Sequence, residues 1–117
     1  MITQALLLFT LLNTSRANVN LPALQHYPEM AQKALARAKY ISESGQYGHA
    51  GWRDSFVNLD CNYIGENIGY NFTDMRVENQ AFMDSPLHKE NILRPRFDDV
   101  SIAVYKNITV ELFCDKN

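Results

Sequence analysis

The sequence predicts an α+β fold in which helices pack on a small antiparallel sheet. Three observations predict it. Helical periodicity dominates the first half of the chain, alternating apolar runs close the second half, and no repeat, linker or low-complexity tract interrupts its 117 residues. One domain spanning 1–117 is therefore expected, large enough to bury roughly two thirds of its unfolded surface. With 46% hydrophobic and 21% charged residues the composition is that of a globular domain, which argues against disorder. A net charge of −2 with mixed signs leaves no electrostatic footprint for nucleic acid or an anionic membrane.

The first helix is expected over about 2 to 16. Its apolar run "ALLLFTLL" resembles the core of a signal peptide, and Ser15-Arg16-Ala17 could pass for a cleavage site. No Lys or Arg precedes the run, however, and Leu7, Leu8, Leu11 and Leu12 recur at helical spacing, which favours a domain helix. The run is also too short to span a membrane. "NVNLPAL" then reads as a connection. Pro28 suits the first turn of a long helix that reaches Ser44 and stops at Gly45. Its expected inner stripe is Ala31, Ala34, Leu35, Ala38 and Ile41, with Lys33, Arg37 and Lys39 on a solvated face.

"GQYGHAGW" is a glycine-punctuated loop carrying His49, and a short helical turn is expected at about 54 to 58. "YIGENIGY" reads as a strand. A helix capped by Thr73 or Asp74 follows through about Met83, with Val77, Ala81 and Phe82 inward. Ser85 and Pro86 start a short helix that Pro95 ends. "VSIAVY" and "ITVELF", joined through Lys106-Asn107, form an antiparallel hairpin.

Chemistry concentrates where polar residues interrupt this pattern. Glu66 and Asn67 sit inside an apolar strand, and a buried carboxylate without partners is very costly. Candidate partners by residue type are Arg53, Arg94, Arg96 and the imidazoles. Of three histidines, His26 precedes a helix start and reads as exposed, whereas His49 and His88 lie where a loop and a helix start face a shared cleft. Together with Glu66 and Asp54 they would supply two imidazoles and two carboxylates, a set suited to general acid–base work or to a divalent metal. The spacing matches no HExxH, nucleophile elbow or phosphate loop. Cys61 and Cys114 are either one disulfide closing a 53-residue loop or two small core residues.

Four blocks, "LLNTSRANVNLPALQ", "MAQKALARAKYISESGQYGH", "IGENIGY" and "AFMDSPLHKENILRPRFDDVSIAVY", occur in the order that characterises the CAP superfamily of cysteine-rich secretory, antigen and pathogenesis-related proteins. The chain resembles its single-domain bacterial members over about residues 6 to 114. The resemblance implies a three-layer α-β-α sandwich. It also implies that "LLNTSRA" is the first domain helix, so that any export signal lies upstream. The family's cleft carries two histidines and two acids, and by motif these fall on His49, Glu66 and His88. Asp54, five positions beyond His49, takes the place of the second acid, where Glu is commoner.

In some members the two histidines bind a divalent metal, so a zinc-like ion at His49 and His88 is implied. The implied protein is secreted or at the cell surface, with a small ligand, a lipid or a protein as partner. The alternative is a metal-assisted hydrolase using the His49, Glu66 and His88 cleft. Within the family's sheet Cys61 and Cys114 end neighbouring strands, which favours the disulfide. Asn67 is assigned to structure, tying its strand to a neighbouring loop. Phe82 replaces the family's usual tryptophan, and the HxTQxxW signature of eukaryotic members is absent, so defence or channel-blocking roles are not carried over.

Overall fold

The computed structural model describes residues 2–117. Four helices and four strands follow in the order α1 (Gln4–Ala17), β1 (Gln25–His26), α2 (Pro28–Ser44), β2 (Tyr63–Tyr70), α3 (Met75–Met83), α4 (Pro86–Ile92), β3 (Asp99–Tyr105) and β4 (Ile108–Asp115), with a 3-10 turn over Trp52–Phe56. The sheet runs β1-β3-β4-β2. β3 and β4 form the expected hairpin, β2 pairs antiparallel with β4, and β1 runs parallel to β3. The α+β architecture agrees with the sequence. β1, just after the NVNLPAL connection, is not foreseen in the sequence, because two residues carry no periodicity.

Period-2 alternation sorts the sheet into two faces. Ile68, Ala103, Ile108, Val110, Leu112 and Cys114 look toward α2, meeting Met30, Ala34, Ala38 and Ile41. The alanines let helix and sheet approach closely. Phe113, Val100 and Phe97 look the other way, toward Leu12 of α1, Phe82 of α3 and Ile92 of α4. One sheet between α2 and the three remaining helices is a three-layer sandwich.

The helix boundaries follow their caps. Thr3 accepts from the Leu6 amide, Asp74 accepts from the Arg76 amide, and Gly45 ends α2 at φ 69°, a left-handed conformation that glycine adopts without penalty. Two inner faces differ from expectation. On α2 Leu35 is exposed and Arg37 is buried. On α3 Val77 is exposed, while Met75, Glu78, Asn79 and Phe82 are buried. The sheet offers Glu66 to Arg37 and Thr109 to Glu78, α1 offers Ser15 to Asn79, and those partners outweigh hydrophobicity in choosing the face.

Arg16 is fully buried and spends its guanidinium on carbonyl oxygens. Nε donates to Pro22 at 2.9 Å, and Nη1 donates to Ile92 at 2.8 Å and to Arg94 at 3.1 Å. A cation therefore sits at the carbonyl end of α4, where the helix dipole favours it. Asn13 joins α1 to the segment before β1 by bonding both the amide and the carbonyl of Leu24.

Cys61 and Cys114 are disulfide-bonded with Cα atoms 5.5 Å apart, as the favoured reading had it. The bridge spans 53 residues and fastens the loop before β2 to β4. In the chain-entropy account a loop of that size contributes about 4 kcal/mol. Urea unfolding of a Cys61→Ser/Cys114→Ser variant should show a stability loss of about that order, and reductant should lower the midpoint of the wild type alone.

Candidate functional site

β2 is an edge strand, and the site forms where the outer layers meet around it. Glu66 points to the α2 side, where its main partner is Arg37, an arginine absent from the three sequence candidates. Arg37 Nε donates to Glu66 Oε2 at 2.8 Å, and Nη2 donates to Oε1 at 3.3 Å. Both side chains are almost wholly buried. The fork of the guanidinium reaches further, donating from Nη1 to the Ala50 carbonyl and from Nη2 to the Gly48 carbonyl, both at 3.1 Å. Those two carbonyls flank His49. One arginine thus neutralises Glu66 and pins the loop that carries the histidine.

His49 completes the arrangement, with Nδ1 lying 2.8 Å from Glu66 Oε1. A carboxylate there makes Nδ1 the protonated nitrogen of the neutral ring and leaves Nε2 with its lone pair. The ring remains about half exposed, with 54% side-chain accessibility, so Nε2 is open to an incoming group. Tyr70 steadies the same loop by accepting from the Gly48 amide at 2.7 Å.

His88 arrives from α4 on the opposite layer. Ser85 occupies the N-cap position of α4 but makes no side-chain capping bond; its Oγ lies 2.7 Å from His88 Nδ1. Phe82 stacks on the imidazole with ring centroids 5.0 Å apart. Burial and the nearby His49 lower the His88 pKa, against a contact with the Ile68 backbone that raises it. His88 is therefore kept neutral at pH values where an exposed imidazole begins to protonate.

Asn67 faces the α3–α4 layer and ties β2 to helix α4 rather than to a loop. Its Nδ2 donates to the His88 carbonyl at 3.2 Å and to Glu111 Oε1 at 3.1 Å. Asn91 donates to Asn67 Oδ1 at 2.9 Å and to the Glu66 carbonyl at 3.2 Å. A side chain on Gly65 would reach within 2.9 Å of both Asn91 and Phe97, so glycine is what admits α4 to this edge.

His49 and His88 line one cleft of about 320 Å³, together with Ile68, Gly69, Tyr70, Phe72, Ala81, Phe82 and Ser85. Glu66 stands directly behind His49. Asp54 is elsewhere: it is exposed and lines a separate cavity with Lys33, Arg37, Tyr40 and Ser55. Among the described residues no three His, Cys, Asp or Glu side chains gather to hold a metal ion. A cation at His49 and His88 would thus have two protein nitrogens and take its remaining ligands from water or a bound molecule, unlike the closed four-ligand set of a structural zinc site.

The chain belongs to the CAP, or cysteine-rich secretory protein, family, whose model matches residues 9–112. Its fold is similar to that of an extracellular protein containing an SCP domain from Bacillus anthracis, with TM-score 0.92 and 23% identity over 97% of this chain and 40% of that one. A cysteine-rich secretory protein from Staphylococcus aureus is similar at TM-score 0.89 and 20% identity over 97% of this chain and 38% of that one. This chain thus spans about two fifths of each of those proteins. An outer surface protein from Borrelia burgdorferi is matched over 95% of this chain and 91% of its own, at TM-score 0.85 and 20% identity. No curated protein matches the sequence. No helix among the described residues is long and apolar enough to cross a membrane.

Removing one member of a buried ion pair leaves the other charge stranded. Arg37→Ala should cost about 3–5 kcal/mol in urea unfolding. It should also broaden the amide resonances of residues 48–50, because their anchor is lost.

Proposed function

We propose that this CAP domain is a ligand-binding module of an exported or cell-surface protein, and that the cleft between His49 and His88 is its binding site. The observation that carries the reading is the composition of the cleft. Two imidazoles face apolar walls made by Ile68, Tyr70, Phe72, Ala81 and Phe82. Such a site suits a small ligand or lipid with an apolar body and one polar end. The imidazoles also supply neutral nitrogen donors for a divalent ion such as zinc, which when bound would polarise that polar end. The extracellular and outer-surface descriptions of the neighbours in fold support the location.

The hydrolase alternative cannot take Glu66 or Asp54 as its free general base, which leaves that role to the open Nε2 of His49. Both oxygens of Glu66 are already bonded, Oε2 to Arg37 and Oε1 to Arg37 and His49. Asp54 opens into a different cavity. Glu66 is thus better described as a positioning residue, orienting His49 and fixing its tautomer.

Calorimetric zinc titration near neutral pH tests the metal component. Wild type should bind with an affinity that falls on acidification, because protons compete with the metal for the ring nitrogens. His49→Ala/His88→Ala should abolish that heat, and Glu66→Gln should weaken binding about 10–100-fold. Equal binding by wild type and the double variant would remove the metal from the proposal. A fluorescent fatty acid probes the apolar walls: its displacement by Phe82→Ala is expected, whereas retention by that variant and by the histidine double variant would place the ligand outside the cleft.

A further inference from the structure

The layer between the sheet and α3 holds two carboxylates that the cleft does not use. Glu78 of α3 and Glu111 of β4 are both fully buried. Thr109 Oγ1 donates to Glu78 Oε1 at 3.0 Å, and Asn67 Nδ2 donates to Glu111 Oε1 at 3.1 Å. The second oxygen of each, Oε2, is buried without a hydrogen-bond partner among the described residues. Asn67 lies opposite Glu111 in the β2–β4 ladder and Gly69 lies opposite Thr109, so the acids sit over neighbouring rungs. A Cβ on Gly69 would come within 1.9 Å of Glu78 Oε2, so only a bare backbone there seats the carboxyl on the sheet.

Among the described residues no cation is ion-paired or hydrogen-bonded to either acid. From β3, the residues beside Glu111 and Thr109 are Ile102 and Val104. α3 adds Asn79, whose side chain donates to Ser15 of α1. The Arg16 guanidinium of α1 gives Nε and Nη1 to the carbonyls of Pro22, Ile92 and Arg94, and its Nη2 is buried without a hydrogen-bond partner among the described residues. From α4 the nearest titratable residue by bonding is His88, whose backbone carbonyl shares Asn67 with Glu111. Two carboxylates without a counter-ion cannot both stay charged in such a place.

We propose that Glu78 and Glu111 form a buried proton-binding pair whose ionisation is transmitted through Asn67 to the seam between β2 and α4 beneath the cleft. The coupling is a single amide. Asn67 Nδ2 gives one hydrogen to Glu111 and the other to the His88 carbonyl, while Oδ1 takes the Asn91 bond. A charge on Glu111 strengthens the first of these at the expense of the others. Direction follows from burial, which raises Glu78 to about 7 and Glu111 to about 8, the latter helped by the charge of Glu78, against the Thr109 and Asn67 hydrogen bonds. Because both pKa values are raised on folding, the stability linked to the neutral pair is complete below the ordinary carboxylate range. It is lost as pH rises through about 7 to 8.

The test needs no ligand, so it stands whatever the cleft binds. NMR of the whole chain should follow the glutamate carboxyl carbons, the Asn67 side-chain amide and the backbone amides of residues 88–91 from about pH 5 to about pH 9. Two carboxyl carbons should titrate near neutrality or above, and the Asn67 amide and α4 amides should move with the same midpoint. Glu111→Gln should leave the Asn67 amide flat across that range. Glu78→Gln should lower the Glu111 midpoint by removing its charged neighbour. Ordinary carboxylate midpoints for both acids in the wild type would overturn the proposal, and so would an Asn67 amide indifferent to Glu111 ionisation. The wild-type titration decides these points even where a variant fails to fold.

Discussion

The buried bond between Arg37 and Glu66 is the constraint on which the rest of the site depends. Neither charge is tolerable alone in that interior, so α2 and β2 are held in one relative position by electrostatics as well as by packing. The guanidinium then uses its remaining hydrogens on the carbonyls either side of His49. A loop with three glycines would otherwise have great conformational freedom. Here its histidine is fixed by the backbone on both flanks and by Glu66 on Nδ1. The same ion pair thus joins a helix, a strand and a loop, and its carboxylate is occupied in doing so. That occupation makes Glu66 a positioning group for His49, whose Nε2 stays open to the cleft.

The edge of β2 explains how residues from opposite layers meet. An edge strand presents unpaired backbone groups, a liability that proteins usually cover. Here α4 covers it, with Asn91 donating to the Glu66 carbonyl and Asn67 returning a bond to α4. The approach is possible because Gly65 carries no side chain. His88 is delivered to the cleft by the same covering helix. Edge protection and site construction are one arrangement, and the GEN and SPLH segments belong together for that reason.

Much of this was legible in the sequence. The helices, the hairpin and the inward glutamate each follow from periodicity or from the cost of a misplaced charge; of the two imidazoles expected to partner Glu66, His49 is bonded to it and His88 is bonded to Ser85 instead. Arg37 was not. It was grouped with Lys33 and Lys39 as solvent-facing, although it lies on the same stripe as Met30, Ala34, Ala38 and Ile41. The helical period could have placed it inward; the habit of sending arginine outward hid it. Glu78 and Asn79 escaped for the same reason, since Val77 looked the better core residue. Side-chain type is a poor guide to orientation where the facing sheet supplies hydrogen bonds. Asp54 illustrates the opposite limit: sequence proximity to His49 says little across a loop, and the 3-10 turn carries it to another cavity.

Arg16 gives the first helix an influence that its distance from the cleft conceals. Its guanidinium binds the carbonyl end of α4, and Ser85 and Phe82 hold His88 at the other end. The bearing of the imidazole is therefore set from two sides, one of them rooted in the opening residues of the chain. Sequence change along α1 has a route to the geometry of the cleft without touching it.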